Sequence, residues 1–83
     1  MNQEILQQQG KLAVRKQEAE RLRLLIMGHV RTIRSCLDPT ETDPAKLRTN
    51  VAFETAFELE KTRTEYLAVM VEIAEINQYL GRG

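Results

Sequence analysis

The sequence predicts an all-α protein: an antiparallel two-helix hairpin with a coiled-coil-like seam, expected to dimerise into a four-helix bundle. Three observations carry that expectation. Proline occurs only at Pro39 and Pro44, near the midpoint of the 83 residues. The segments on either side are rich in Gln, Glu, Lys, Arg, Leu and Ala, all good helix formers. Both segments also repeat apolar residues at a spacing of seven.

The first helix is expected over about residues 3–37. Ile5, Leu12, Ala19, Ile26 and Ile33 take heptad position a, and Gln8, Arg15, Leu22, His29 and Cys36 take position d. Gly10 and Gly28 each weaken this helix by about 1 kcal/mol relative to Ala. Gly10 is expected to mark a frayed start, and Gly28 to admit a bulky neighbour such as Phe53.

The break is the stretch SCLDPTETDPAKL, residues 35–47, with no apolar side chain between Leu37 and Ala45. Proline disfavours helix in the residue before it and has no N–H to donate, so Pro39 stops the first helix near Asp38. Asp38 with Glu41 three residues on suits a short capped turn. The turn is expected over residues 38–43, with Asp43 capping the second helix and Pro44 at its first position.

The second helix is expected over about residues 44–80. Its a positions are Ala45, Ala52, Leu59, Tyr66, Ile73 and Leu80, and its d positions Arg48, Thr55, Thr62, Val69 and Ile76. Gly81 is expected to be a left-handed C-cap. Two helices of about 35 residues each run ~52 Å, so they match in length when folded back. A turn centred near residues 40 and 41 pairs positions whose numbers add to about 81, setting Ile5 on Ile76, Leu12 on Val69 and Leu22 on Leu59. In that register Lys11 faces Glu72 and Arg15 faces Tyr66, but Glu18 faces Glu65 and Lys16 faces Arg63. Exposed charge pairs are worth only tenths of a kcal/mol, so the apolar register should prevail.

Bulk properties exclude several classes. Apolar residues at 42% and charged residues at 29% describe a folded rather than a disordered chain. Aromatics at 5% with no Trp leave little for an aromatic-lined pocket, and no small-molecule substrate is evident. Twelve basic and twelve acidic residues cancel, which argues against nucleic acid or an acidic membrane as a whole-chain partner. The longest apolar run, LLIM at residues 24–27, is far below the ~20 residues of a membrane span. MNQEILQQQG lacks a basic region followed by an apolar stretch, so no secretory signal is expected. A single Cys36 allows no intrachain disulfide, and the expected location is the cytoplasm.

No catalytic, cofactor or metal site is expected. His29 and Cys36 share the seam, but structural zinc wants four ligands and the chain supplies one of each type. The glutamates at 54, 58, 60, 65, 72 and 75 lack the Glu-x-x-His pattern of a di-metal bundle and read as a solvated face. Nucleic-acid binding is the alternative reading. The first 37 residues carry seven basic side chains against three acidic ones, and dimerisation could gather Lys16, Arg23 and Arg34 into a patch. By heptad letter, however, the basic residues surround the helix.

The favoured reading is a non-enzymatic protein–protein interaction module. On the second helix Phe53, Phe57, Leu67 and Val71 lie off the seam on one neighbouring side. The first helix adds Leu24, Leu25, Met27 and Val30 outside or beside its own stripe. Burying such a side chain is worth about 1.5–3 kcal/mol, so a second copy of the chain, or another protein, is expected to cover these eight.

The block RTIRSCLDPTETDPAKLRTNVAFETAFELEKTRTEYLAVMVEIAEINQYLG, residues 31–81, resembles small helical proteins encoded in Mu-like prophages. Those proteins similarly show an Ile-Arg, Leu-Asp-Pro turn followed by a Glu-rich helix ending in Leu-Gly. The resemblance spans roughly the C-terminal three-fifths of the chain. It implies a prophage accessory role and supplies no catalytic residues.

Overall fold

The computed structural model describes residues 2–82, with side-chain environments for residues 3–81. Helix α1 spans Asn2–Cys36, a 3₁₀ turn spans Pro44–Lys46, and helix α2 spans Thr49–Arg82. The two helices fold back on one another as a rod of 65 × 16 × 16 Å. Its radius of gyration is 18.7 Å, against ~12 Å for a compact domain of this length. Two helices in one layer enclose no interior, so every contact they share is a seam contact. Among the described residues no helix is long and apolar enough to cross a membrane.

The seam follows the heptad. Every a and d position from Gln8 to Cys36, and from Ala52 to Leu80, is buried or half-buried. Off the seam, among residues 3–81, only Glu18, Gly28, Val30 and Val51 in the helices are half-buried, and the rest are exposed. The centre of the core is Ala19, Leu22, Val69 and Ile73, with Leu12 and Tyr66 packed against it. Leu22 is 1% exposed and anchors this cluster. Cys36 and Ala52 form a second buried point beside the turn. At the polar d position Thr62 the hydroxyl donates to the Glu58 carbonyl at 2.9 Å.

The reversal is built from short polar side chains. The Asp38 carboxylate accepts from the Thr40 N–H at 2.9 Å and from its hydroxyl at 2.7 Å. The Glu41 N–H closes a β-turn on the Asp38 carbonyl, with Pro39 at the second position, where its fixed φ belongs. The Thr40 N–H and hydroxyl hold the Asp38 carboxyl below its ordinary range. Glu41 does not reach back to cap Asp38; its carboxylate accepts from the Asp43 N–H at 3.0 Å.

Six sequence expectations need correction here. Asp43, extended at φ −105° and ψ 106°, caps only the turn Pro44–Lys46, and α2 begins at Thr49 rather than at residue 44. The cause lies two residues further on. Leu47 is extended and half-buried, and the Arg48 N–H donates to the Cys36 carbonyl at the end of α1. That bond between helix ends takes the N–H a continuous helix would have used. The reversal is therefore longer than expected, and the register moves with it. Glu4–Tyr79, Cys36–Arg48 and Arg15–Glu72 have numbers adding to 83, 84 and 87 rather than 81.

The remaining corrections concern glycines and one cation. Gly10 is not a frayed start, because α1 runs through it from Asn2. Gly81 lies inside α2 and, among the described residues, no glycine has positive φ, so it is no left-handed cap. A Cβ added at Gly28 would meet nothing within 4 Å, and Phe53 is 76% exposed, so Gly28 admits no bulky neighbour. Arg15 meets Glu72 at 3.8 Å rather than Tyr66, which packs on the core instead.

Two substitutions on α1 should therefore move stability in opposite directions. Leu22→Ala should cost about 2–5 kcal/mol, and Gly28→Ala should gain up to about 1 kcal/mol. Urea unfolding followed by helical circular dichroism measures both. A Leu22→Ala cost under about 0.5 kcal/mol, the range of ordinary surface changes, would remove the core from its assigned place.

Candidate partner-binding face

Within α2, Phe53, Phe57, Glu60, Thr64, Leu67 and Val71 alternate spacings of four and three, so they form one stripe along the helix. At 100° per residue the stripe centre lies about 150° from the seam centre, on the back of α2 rather than beside α1. Its four apolar members are all exposed, Phe57 by 63%. The polar pair in its middle divides it into an aromatic half nearer the turn and an aliphatic half further from it.

Local electrostatics on this face are loose. Lys61 Nζ lies 5.8 Å from the Phe57 ring centroid, within cation–π range, and 3.7 Å from the Glu58 carboxylate. Arg63 stands 3.9 Å from Glu60. The Thr64 hydroxyl donates to the Glu60 carbonyl at 2.9 Å, which leaves the Glu60 carboxylate free of it. Shallow concavities open on either side of Phe57, one reaching to Thr64 and Glu65 and the other to Phe53 and Glu54. Both are lined by α2 alone.

The four α1 candidates do not join this stripe. Leu24, Leu25 and Met27 are exposed and Val30 is half-buried. Their heptad positions f, g, b and e spread over about 200° of the helix. Leu24 and Met27 lie on the back of α1, which points away from the back of α2. The structure thus divides the eight candidates into one continuous stripe and four separate side chains.

Three of the seven basic residues of α1, Arg15, Arg21 and Arg23, pair with glutamates within the hairpin. Arg23 forks onto Glu20, Nε to Oε2 at 2.9 Å and Nη2 to Oε1 at 2.7 Å, and Arg21 holds Glu18 in the same way. These hydrogen bonds draw the Glu18 and Glu20 carboxyls below their ordinary range. Arg21 also lies in the field of Glu65, which relieves the Glu18–Glu65 conflict the sequence raised. Lys16 and Arg34 are exposed, and 18 residues place them ~27 Å apart along the helix. Lys16, Arg23 and Arg34 form no compact patch on one chain.

Cys36 is buried, His29 is half-buried, and one lies two turns from the other on the same helix. Among the described residues no three His, Cys, Asp or Glu side chains come together as a metal site would need. Lys11 and Arg15 flank Glu72 and Ile76 in a groove between the helices, so Lys11 does face Glu72 although the ion pair belongs to Arg15. Comparison with protein-family models, curated proteins and solved structures finds no match to this chain.

The open ends of the helices meet through Tyr79, whose hydroxyl donates to Glu4 Oε2 at 3.3 Å. The nearby Glu4 charge, and then this bond, raise the Tyr79 pKa above the ordinary tyrosine value. Because the folded value is raised, the contribution to stability is complete below the unfolded pKa and is lost as pH climbs through the folded one. In a Tyr66→Phe background, Glu4→Gln should return Tyr79 to the ordinary tyrosine range in an ultraviolet titration. An unmoved titration would mean that the ends of the hairpin do not meet.

Proposed function

We propose that this chain is a non-enzymatic protein–protein interaction module that self-associates through helix faces, two hairpins forming a four-helix bundle. The observation that carries the reading is the exposed stripe Phe53, Phe57, Leu67 and Val71 on the back of α2. A hairpin whose own core is so thin has little apolar surface to leave in water. Completing the burial of these side chains is worth about 1–2 kcal/mol each, or roughly 8–16 kcal/mol over two copies. Association itself costs an estimated 4–15 kcal/mol. A nanomolar dimer would need about 12 kcal/mol net, the extreme of those two ranges, so the dimer should form in the micromolar range or above.

The pairing of Arg23 with Glu20 and the apolar character of the stripe support this reading over nucleic-acid binding. A cytoplasmic setting suits the free thiol of Cys36. A prophage accessory role rests on the resemblance over residues 31–81 alone. The test is mass in solution by sedimentation equilibrium. The wild-type chain should move from one protomer mass to two across the micromolar range with little response to salt, and Phe57→Asp should hold it at one at least tenfold higher in concentration. A wild-type chain that stays single would contradict the proposal. Steeply salt-dependent DNA retention, lost on Arg23→Ala with Arg34→Ala, would replace it with the nucleic-acid reading.

A further inference from the structure

The stripe on α2 reads nearly the same in either direction. Along it come Phe53, Phe57, Glu60, Thr64, Leu67 and Val71: two apolar residues, two polar, two apolar. Reversed about a point beside residue 62, Phe53 falls on position 71, Phe57 on 67 and Glu60 on 64. In a two-fold interface each copy presents the same patch to the other, so the stripe must fit its own reverse, and this one sets apolar on apolar and polar on polar. A surface shaped for an unrelated partner does not need it.

We infer that the occupant of this face is the α2 helix of a second copy, packed antiparallel about a two-fold axis beside residue 62. This rests on the self-association proposed above and deepens it by fixing which helices meet and in what register. Size and charge both select this arrangement. Antiparallel packing sets the larger Phe53 and Phe57 against the smaller Val71 and Leu67, so bulky and slender layers interdigitate. Parallel, in-register packing would stack Phe on Phe and Glu60 on Glu60. In the antiparallel register Glu60 faces the second copy's position 64 and lies one residue from its position 63. Within one chain Arg63 stands 3.9 Å from Glu60, far looser than the 2.7 Å forks on α1, so its guanidinium can be shared across the axis.

The placement of the stripe also sets the shape of the assembly. A face about 150° from the seam puts the four helices nearly in a row, α1, α2, α2 and α1, with both α2 helices inside. The backs of both α1 helices, with Leu24 and Met27, then stay at the outer edges. The bundle is open and flat rather than square.

Disulfide trapping tests this. Phe53→Cys and Val71→Cys chains, each carrying Cys36→Ala, are mixed and equilibrated in a glutathione buffer so that the bonds reflect proximity. The mixed 53–71 bond should exceed the 53–53 and 71–71 bonds by about tenfold, against the twofold excess of random pairing. The Phe57→Cys and Leu67→Cys chains, both replaced at exposed positions, should repeat the result. Dominant like-with-like bonds, or a random mixture, in a chain that still sediments as a dimer would overturn the pairing and leave self-association standing. A wild-type chain that does not dimerise, with no crosslink in either Cys pair, would overturn both.

Discussion

A hydrogen bond between the two helix ends governs this molecule: the Arg48 N–H donating to the Cys36 carbonyl at 3.1 Å. It satisfies one of the carbonyls left open where α1 stops, and it fixes where α2 can begin. With both ends joined, the relation of every later residue to α1 follows from helical rise alone. The Arg48 guanidinium reaches Ser35 at 3.5 Å on the same stretch, so side chain and backbone hold the same junction. A reversal of different length would slide α2 along the seam and separate Ala19 and Leu22 from Val69 and Ile73.

That dependence explains what could be read in the sequence and what could not. The helices, the break between them and the seam are local or periodic properties. Pro39 ends a helix wherever it stands, and a spacing of seven puts Leu22 and Val69 inside whatever the loop does. The start of α2 is different. Asp43 followed by Pro44 carries a full helix-start signal, and that signal is obeyed for a single 3₁₀ turn. What overrides it is the bond to Cys36, a residue on the other helix, to which local propensity is blind. The Arg15–Tyr66 expectation failed for the same reason, since it assumed the shorter turn, whereas Phe53 misses Gly28 because it lies on the back of α2.

The candidate face was legible in part. Phe53, Phe57, Leu67 and Val71 stand out as apolar residues off the heptad, and they do share one side of α2. Leu24, Leu25, Met27 and Val30 share only a place outside or beside the α1 stripe, and helix geometry scatters them around α1. The forks of Arg21 on Glu18 and Arg23 on Glu20 follow the familiar i,i+3 spacing, so the partial neutralisation of the basic residues of α1 is legible in the sequence. The near-palindrome of the stripe is also present in the sequence. It acquires meaning only once the structure places those six positions together on the back of α2, away from α1.

The reversal of the chain is the claim on which the seam, the exposed stripe and the proposed assembly all stand. Spin labels at Gln3 and Gln78, two exposed positions near opposite ends of the chain, measure it directly. Labelled chain diluted into a large excess of unlabelled chain reports distances within one protomer only. A hairpin places the labels on adjacent helices with axes 8–10 Å apart, giving a distribution centred at about 15–30 Å once the label arms are included. A peak beyond about 80 Å, approaching the ~110 Å of a continuous helix, would contradict the account at its root.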